Sequence, residues 1–187
     1  DDMVSRGLGD VYKRQEVTRT VGVSTLASLL EPSGAYGLRV EDSDISLNVP
    51  DVIEVLAVLE SKDTNAPVLD KLKFVAGLNL NTNAIIGEQI VGKDSRAIGQ
   101  LVDRNANDVT FVYLNDSKFQ KGEVVKFKES AIESTLQGVE VGNYIERTDN
   151  YVLEKGHKEQ YCDYSFIVRN QGSAVPSKRL LIIFDQY

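Results

Sequence analysis

From Ile85 onward the apolar residues fall into short runs separated by clusters of Asn, Asp, Gly and Lys. Residues 87–92, 97–102, 109–114 and 123–128 each read as a strand, recurring roughly every 10 to 13 residues. Strands that short and that evenly spaced predict antiparallel hairpins wrapped into a small barrel or sandwich. The same grammar is looser upstream. Residues 44–49 alternate, with Ile45, Leu47 and Val49 against Ser46 and Asn48, which is the period of a half-buried strand. Residues 52–59 (Val-Ile-Glu-Val-Leu-Ala-Val-Leu) are β-branched and too short for a typical helix, so a buried strand is expected. Residues 69–75 predict another strand, and the asparagine-rich 79–83 a turn. Val17, Val21, Val23, Leu26, Leu29 and Leu30 fit either a strand or a short N-terminal helix.

The C-terminal part is less regular. Residues 132–142 read as a loop with a short strand around Val139 and Val141, residues 165–168 as a further strand, and 180–184 (Leu-Leu-Ile-Ile-Phe) as a core strand. One internal echo is visible: Gly87-Glu88-x-Ile90-Val91 returns 35 residues later as Gly122-Glu123-x-Val125-Lys126. Glycine at a hairpin exit supplies a positive φ, so the echo predicts two similar hairpins within one barrel. Two copies are too few for a solenoid.

These patterns predict an all-β chain of small antiparallel barrel or sandwich modules. The expected partition is a partial N-terminal segment over 16–50, a β module over 51–145, and over 146–187 the start of a following β segment.

Composition narrows the chemistry. The net charge is −7, and residues 1–15 contribute nothing to it. An acidic chain without a basic stripe lacks the electrostatic footprint for phosphate backbones, so no nucleic-acid partner is expected. No run approaches the roughly 18 apolar residues of a membrane-spanning helix, and no membrane partner is expected. The single cysteine (Cys162) and single histidine (His157) exclude an internal disulfide framework and multi-histidine metal sites. No cofactor is implied.

Several constellations invite a chemical reading. Asp103-x-Asn105-x-Asn107 has the look of a calcium loop, but the sixth and twelfth positions hold Asp108 and Leu114 where glycine and glutamate belong; a hairpin turn is expected. Glu41-Asp42-x-Asp44 clusters carboxylates in the manner of an exposed acidic turn. His157 and Cys162 lie among Glu154, Glu159 and Asp163, surroundings that work against a thiolate. Tyr144, Tyr151, Tyr161 and Tyr164, with Phe166, form an aromatic concentration. Tyrosines supply contact area at low entropic cost, which makes these four the candidate partner or glycan surface, but packing of a β core with the hydroxyls at its rim is the favoured reading.

Two resemblances add to this. Residues 5–15 (Ser-Arg-Gly-Leu-Gly-Asp-Val-Tyr-Lys-Arg-Gln) resemble the translation of a sequencing adaptor, and residues 1–4 are equally suspect. Met3, the only methionine, lies within this stretch. The chain is therefore expected to be an interior piece of a longer polypeptide.

From Val52 onward the chain resembles a family of large virion proteins of tailed phages that infect marine bacteria, of the DUF4815 type. The likeness is carried by 87–92 with 97–102, by Phe111-Val112-Tyr113-Leu114-Asn115 with Phe119-Gln120-Lys121-Gly122-Glu123, and most specifically by residues 151–164 through 176–179. It implies a non-enzymatic component of the tail, baseplate or fibre region of a virion. Its partners would be other virion structural proteins, and it would form a homo-oligomer in the assembled particle. Cys162 departs from the aromatic expected in the Tyr-x-Asp-Tyr context, which argues further against a thiol function. The alternatives are a glycan- or receptor-binding fibre module, a polysaccharide depolymerase, and a bacterial adhesin repeat.

Overall fold

The computed structural model describes residues 13–19, 40–47, 52–154 and 165–186. The chain divides into two compact units: Asp1–Pro67 with Tyr144–Tyr187, and the inserted stretch Val68–Asn143. Both are built from antiparallel strands, so the all-β expectation holds.

The first unit contributes β1 (Lys13–Arg19), β2 (Asp44–Ser46) and β3 (Val52–Ser61) before the insertion. The inserted unit carries β4 (Asp70–Lys73), a single helical turn α1 (Leu80–Asn83), β5 (Gln89–Gly92), β6 (Ile98–Arg104), β7 (Asp108–Tyr113), β8 (Val124–Phe127), β9 (Glu133–Thr135) and β10 (Gly138–Glu140). The chain then returns to the first unit with β11 (Tyr144–Glu146), β12 (Tyr151–Glu154), β13 (Phe166–Arg169) and β14 (Leu180–Gln186).

In the first unit, one sheet runs β1-β14-β3-β11 and a second β12-β13-β2. The two most apolar runs of the sequence are β3 and β14, and they pair in the middle of one sheet. Each needs a neighbour on both edges, because its backbone groups are buried with its side chains. Val58, Leu180, Ile182 and Phe184 from this sheet share a core with Ile45 and Ile167 from the other. This pairing corrects the expected boundaries. Residues 52–61 belong with the C-terminal strands and not with the 51–145 module, and 146–186 complete that unit in place of opening a new one. Lys13 to Gln15, the end of the adaptor-like stretch, lie in β1 against β14. The expected helix within 16–30 falls mostly outside the described residues.

The inserted unit holds the strand order β10-β4-β7-β6-β5-β8-β9. Its two ends are close in sequence, since only Leu136 and Gln137 separate β9 from β10. Leu136 N–H donates to the Glu123 carbonyl on one side, and Gln137 N–H to the Lys73 carbonyl on the other. The sheet therefore curls round until both ends run along one stretch of chain, which protects its edges. A bulge between Leu101 and Asp103 adds to the bend. Inside lie Leu72, Ile90, Leu101, Phe111, Val125 and Phe127, all fully buried.

The asparagine-rich 79–83 is a helical turn and not a simple reverse turn. Asn79 takes the left-handed conformation (φ 50°), and Leu80 is driven into the core. The predicted loop over 132–142 is the doubled strand β9–β10, and Val141 lies past its end, 82% exposed.

Candidate functional site

The Gly-Glu echo proves to be a repeated structural device. A shift of 35 residues carries β5 onto β8 and β6 onto residues 133–139. Gly87 and Gly122 both take positive φ, 96° and 92°, where a side chain would be strained. Each turns the chain so that the next residue points inward, and Glu88 and Glu123 are buried.

Their hydrogen bonds match atom for atom. Glu88 Oε2 accepts from Ile85 N–H at 2.5 Å, and its Oε1 accepts from the N–H and hydroxyl of Ser130 at 3.2 and 2.9 Å. Glu123 Oε2 accepts from Gln120 N–H at 2.6 Å, and its Oε1 accepts from the N–H and hydroxyl of Ser95 at 3.3 and 3.0 Å. Each carboxylate holds the loop that precedes it to the turn of the other repeat. A Cβ at Gly92 would collide with the Glu123 carboxylate, so the strand can approach this closely only with glycine there.

The first unit uses a third buried glutamate in a related way. Glu60 Oε1 accepts from Ser177 and Lys178 N–H at 2.9 and 3.2 Å, and Oε2 from Arg147 Nε at 2.9 Å. Nearby in the same unit, a groove of about 290 Å³ is lined by Ile53, Glu54, Val55, Thr148, Tyr151, Leu153 and Ile167. Its lining holds one carboxylate, that of Glu54; acid–base hydrolysis of a glycan would use two facing each other.

Of the four candidate tyrosines, Tyr144 and Tyr151 are described, and they do not share one surface. Tyr151 takes the core role and so leaves the candidate surface: it is 9% exposed and part of the first unit's core. Its hydroxyl is buried without a formed hydrogen bond. Arg169, its partner across the β12–β13 ladder, lies close, but its guanidinium donates to the Glu41 and Asp42 carbonyls. Tyr144 is half-buried on β11, an outer strand of its sheet. Tyr161, Tyr164, His157 and Cys162 lie outside the described residues.

The other constellations resolve into local structure. Asp103 and Arg104 end β6, and Asn105 closes the turn to β7 through its N–H on the Asp108 carbonyl and its amide on the Asp108 carboxylate. The acidic segment is not an exposed turn: Asp42 is buried, and Arg169 donates to the Glu41 and Asp42 carbonyls. Among the described residues no group of three or more His, Cys, Asp or Glu side chains is arranged to hold a metal, and no helix is long and apolar enough to cross a membrane.

Among the described residues two tyrosines carry raised pKa values. Burial pushes the Tyr151 phenol above the ordinary 10.0, against the lowering influence of Arg169. Burial also raises Tyr113, opposed by the hydrogen bond its hydroxyl accepts from Phe119 N–H and reinforced by the charges of Asp70 and Glu123. A phenol whose folded pKa is raised contributes stability that is complete below the unfolded value and is lost as pH rises through the folded one. The near-ultraviolet phenolate absorbance should therefore show a late component of the eight tyrosines, titrating above pH 10.0 and vanishing in denaturant. A single step at the ordinary value in the folded protein would contradict the burial of both rings.

No protein-family model matches the chain, and no curated protein or solved structure does either.

Proposed function

We propose that the chain is a non-enzymatic structural component of a tailed-phage virion, from its tail, baseplate or fibre region, working through protein–protein contacts. Two things support the reading. The first is the sequence resemblance from Val52 onward, most specific over 151–164 and 176–179. The second, which carries it structurally, is the use made of buried carboxylates. Glu60, Glu88 and Glu123 all accept from backbone N–H groups of loops and turns. Such bonds rigidify a module, and rigidity suits a part that must hold surfaces in register.

The test is mass spectrometry of purified particles of a phage that encodes the chain. Peptides from residues 52–154 should be recovered in fixed proportion to the capsid protein. Their confinement to the unassembled fraction of the lysate would overturn the proposal. So would turnover of a glycan that is lost when one carboxylate is replaced.

A further inference from the structure

One edge of the first unit's central strand is left without a neighbour. β3 runs over ten residues and pairs with β14 from Val52 to Glu60, but on its other side β11 covers only Leu59–Ser61. The chain then follows β3 for two more residues. Arg147 N–H donates to the Val58 carbonyl at 2.8 Å, and Val58 N–H donates to the Thr148 hydroxyl at 3.1 Å. From Thr148 it turns away into β12 and the other sheet. At the far end of the strand the buried hydroxyl of Ser165 accepts from Val52 N–H at 3.3 Å. Between these two hydroxyls, along residues 53–57, no strand among the described residues covers that edge.

The same stretch is short of partners on its β14 side. The register skips Ile53 and Leu56, the extra residues of two bulges, and no residue of β14 stands opposite them. Backbone groups withdrawn from water without a partner are costly, and Ile53, Val55 and Leu56 are half-buried. The groove of about 290 Å³ opens along this edge. Ile53, Glu54 and Val55 form one wall, and Tyr151, Leu153 and Ile167 of the other sheet form the second. The first wall is charged: Glu54 is exposed, and its cross-strand neighbour is Asp185. No cation among the described residues pairs with Glu54.

We infer that this edge takes an added β-strand: an extended segment of a partner protein, with an apolar residue for the groove and a lysine or arginine for Glu54. Three observations select that occupant together. Unpaired backbone along a strand calls for another extended backbone, which alone supplies donors and acceptors at matching intervals. Two carboxylates directly opposite one another repel, and a cation beside them relieves the cost. The net charge of −7 draws a basic segment in and opposes a second copy of this acidic chain. The inference rests on the contact role proposed above and goes further by naming the chemistry of one contact. It also fails separately: a chain recovered in particles whose edge takes no strand would remove this inference alone.

The probe is a blocked heptapeptide of alternating lysine and valine, titrated into the full chain and followed by calorimetry. It should bind with a dissociation constant of about 10 to 500 μM. A version N-methylated at its interior amides keeps the charge and the apolar residues but loses the backbone donors, and should bind about tenfold more weakly. E54K should weaken the parent peptide about fivefold with far-ultraviolet circular dichroism unchanged. E129K, the same change of charge at an exposed site of the inserted unit, should leave its affinity within about twofold. No binding through that range overturns the inference, as does binding indifferent to E54K. Equal binding of the methylated peptide would mean attraction of charge alone and overturns it too. So does a dimer of the chain that the peptide leaves intact, which would give the edge to a second copy.

Discussion

Replacing Phe111 by alanine is expected to lower the stability of the inserted unit by about 3–5 kcal/mol, the range for emptying a buried aromatic site. Phe111 is fully buried on β7, edge-on to Tyr113 and Phe119 with ring centroids 4.8 and 5.3 Å away. Tyr113 and Phe119 in turn stack on each other at 5.6 Å. The three rings come from one strand and the loop after it, so removing Phe111 takes the central ring from both contacts. The loss is best read by denaturant titration followed in the near-ultraviolet, where Tyr113 reports on the packing it shares with Phe111. A shift worth less than about 1 kcal/mol would show that the site collapses freely and that Phe111 is not the centre of the core.

The second large effect belongs to the buried glutamates. Glu123→Ala removes the acceptor for Gln120 N–H, Ser95 N–H and the Ser95 hydroxyl together. A buried donor left without a partner costs about 1–3 kcal/mol, so a loss of about 2–4 kcal/mol is expected after partial access of water. Glu88→Ala strands Ile85 N–H, Ser130 N–H and the Ser130 hydroxyl in the same way. Because the partner sets match, the two substitutions should cost the same to within about 1 kcal/mol. Glutamine does not rescue either site, since it turns one acceptor oxygen into a donor facing another donor. Equal and small losses in chemical denaturation would mean that water replaces the carboxylates and that the clamps are dispensable. A loss at one site alone would break the two-fold equivalence.

Much of the inserted unit was legible before any coordinates. Its strands alternate cleanly and are punctuated by Gly, Asn and Asp, so β5 to β8 fall where period and turn chemistry put them. The echo of Gly87-Glu88 in Gly122-Glu123 was visible too, and two similar hairpins are what it marks. The role of the glutamates was not. Nothing in the sequence marks either Glu as buried, and only the fold brings Ser130 and Ser95 to the two carboxylates.

The first unit was harder for a different reason. An apolar run announces that it will be buried and says nothing of its partner, so proximity in sequence groups β3 with the strands that follow it. Its real neighbour, β14, lies more than a hundred residues further on. Strand β9 was missed because Glu133-Ser134-Thr135 offers no buried side chain to set a period. Tyr151 shows the ambiguity of an aromatic cluster: position in sequence could not distinguish a rim from a core.

The insertion leaves and rejoins the first unit at neighbouring points. Val68 and Asn143 are bridged, with Asn143 N–H on the Val68 carbonyl at 2.9 Å. Just beyond them Ser61 pairs with Tyr144 as β3 meets β11. In an unfolded chain, bringing those two residues together means closing a loop of some eighty residues. If the curled sheet forms first from its own local hairpins, that loop is already tied at its base, and only residues 62–67 remain slack. Loop-closure entropy grows by about 0.6 kcal/mol per doubling, so this order of events spares the β3–β11 pairing about 2 kcal/mol. In that order of events the inserted unit works as a knotless drawstring for the strand that carries Tyr144.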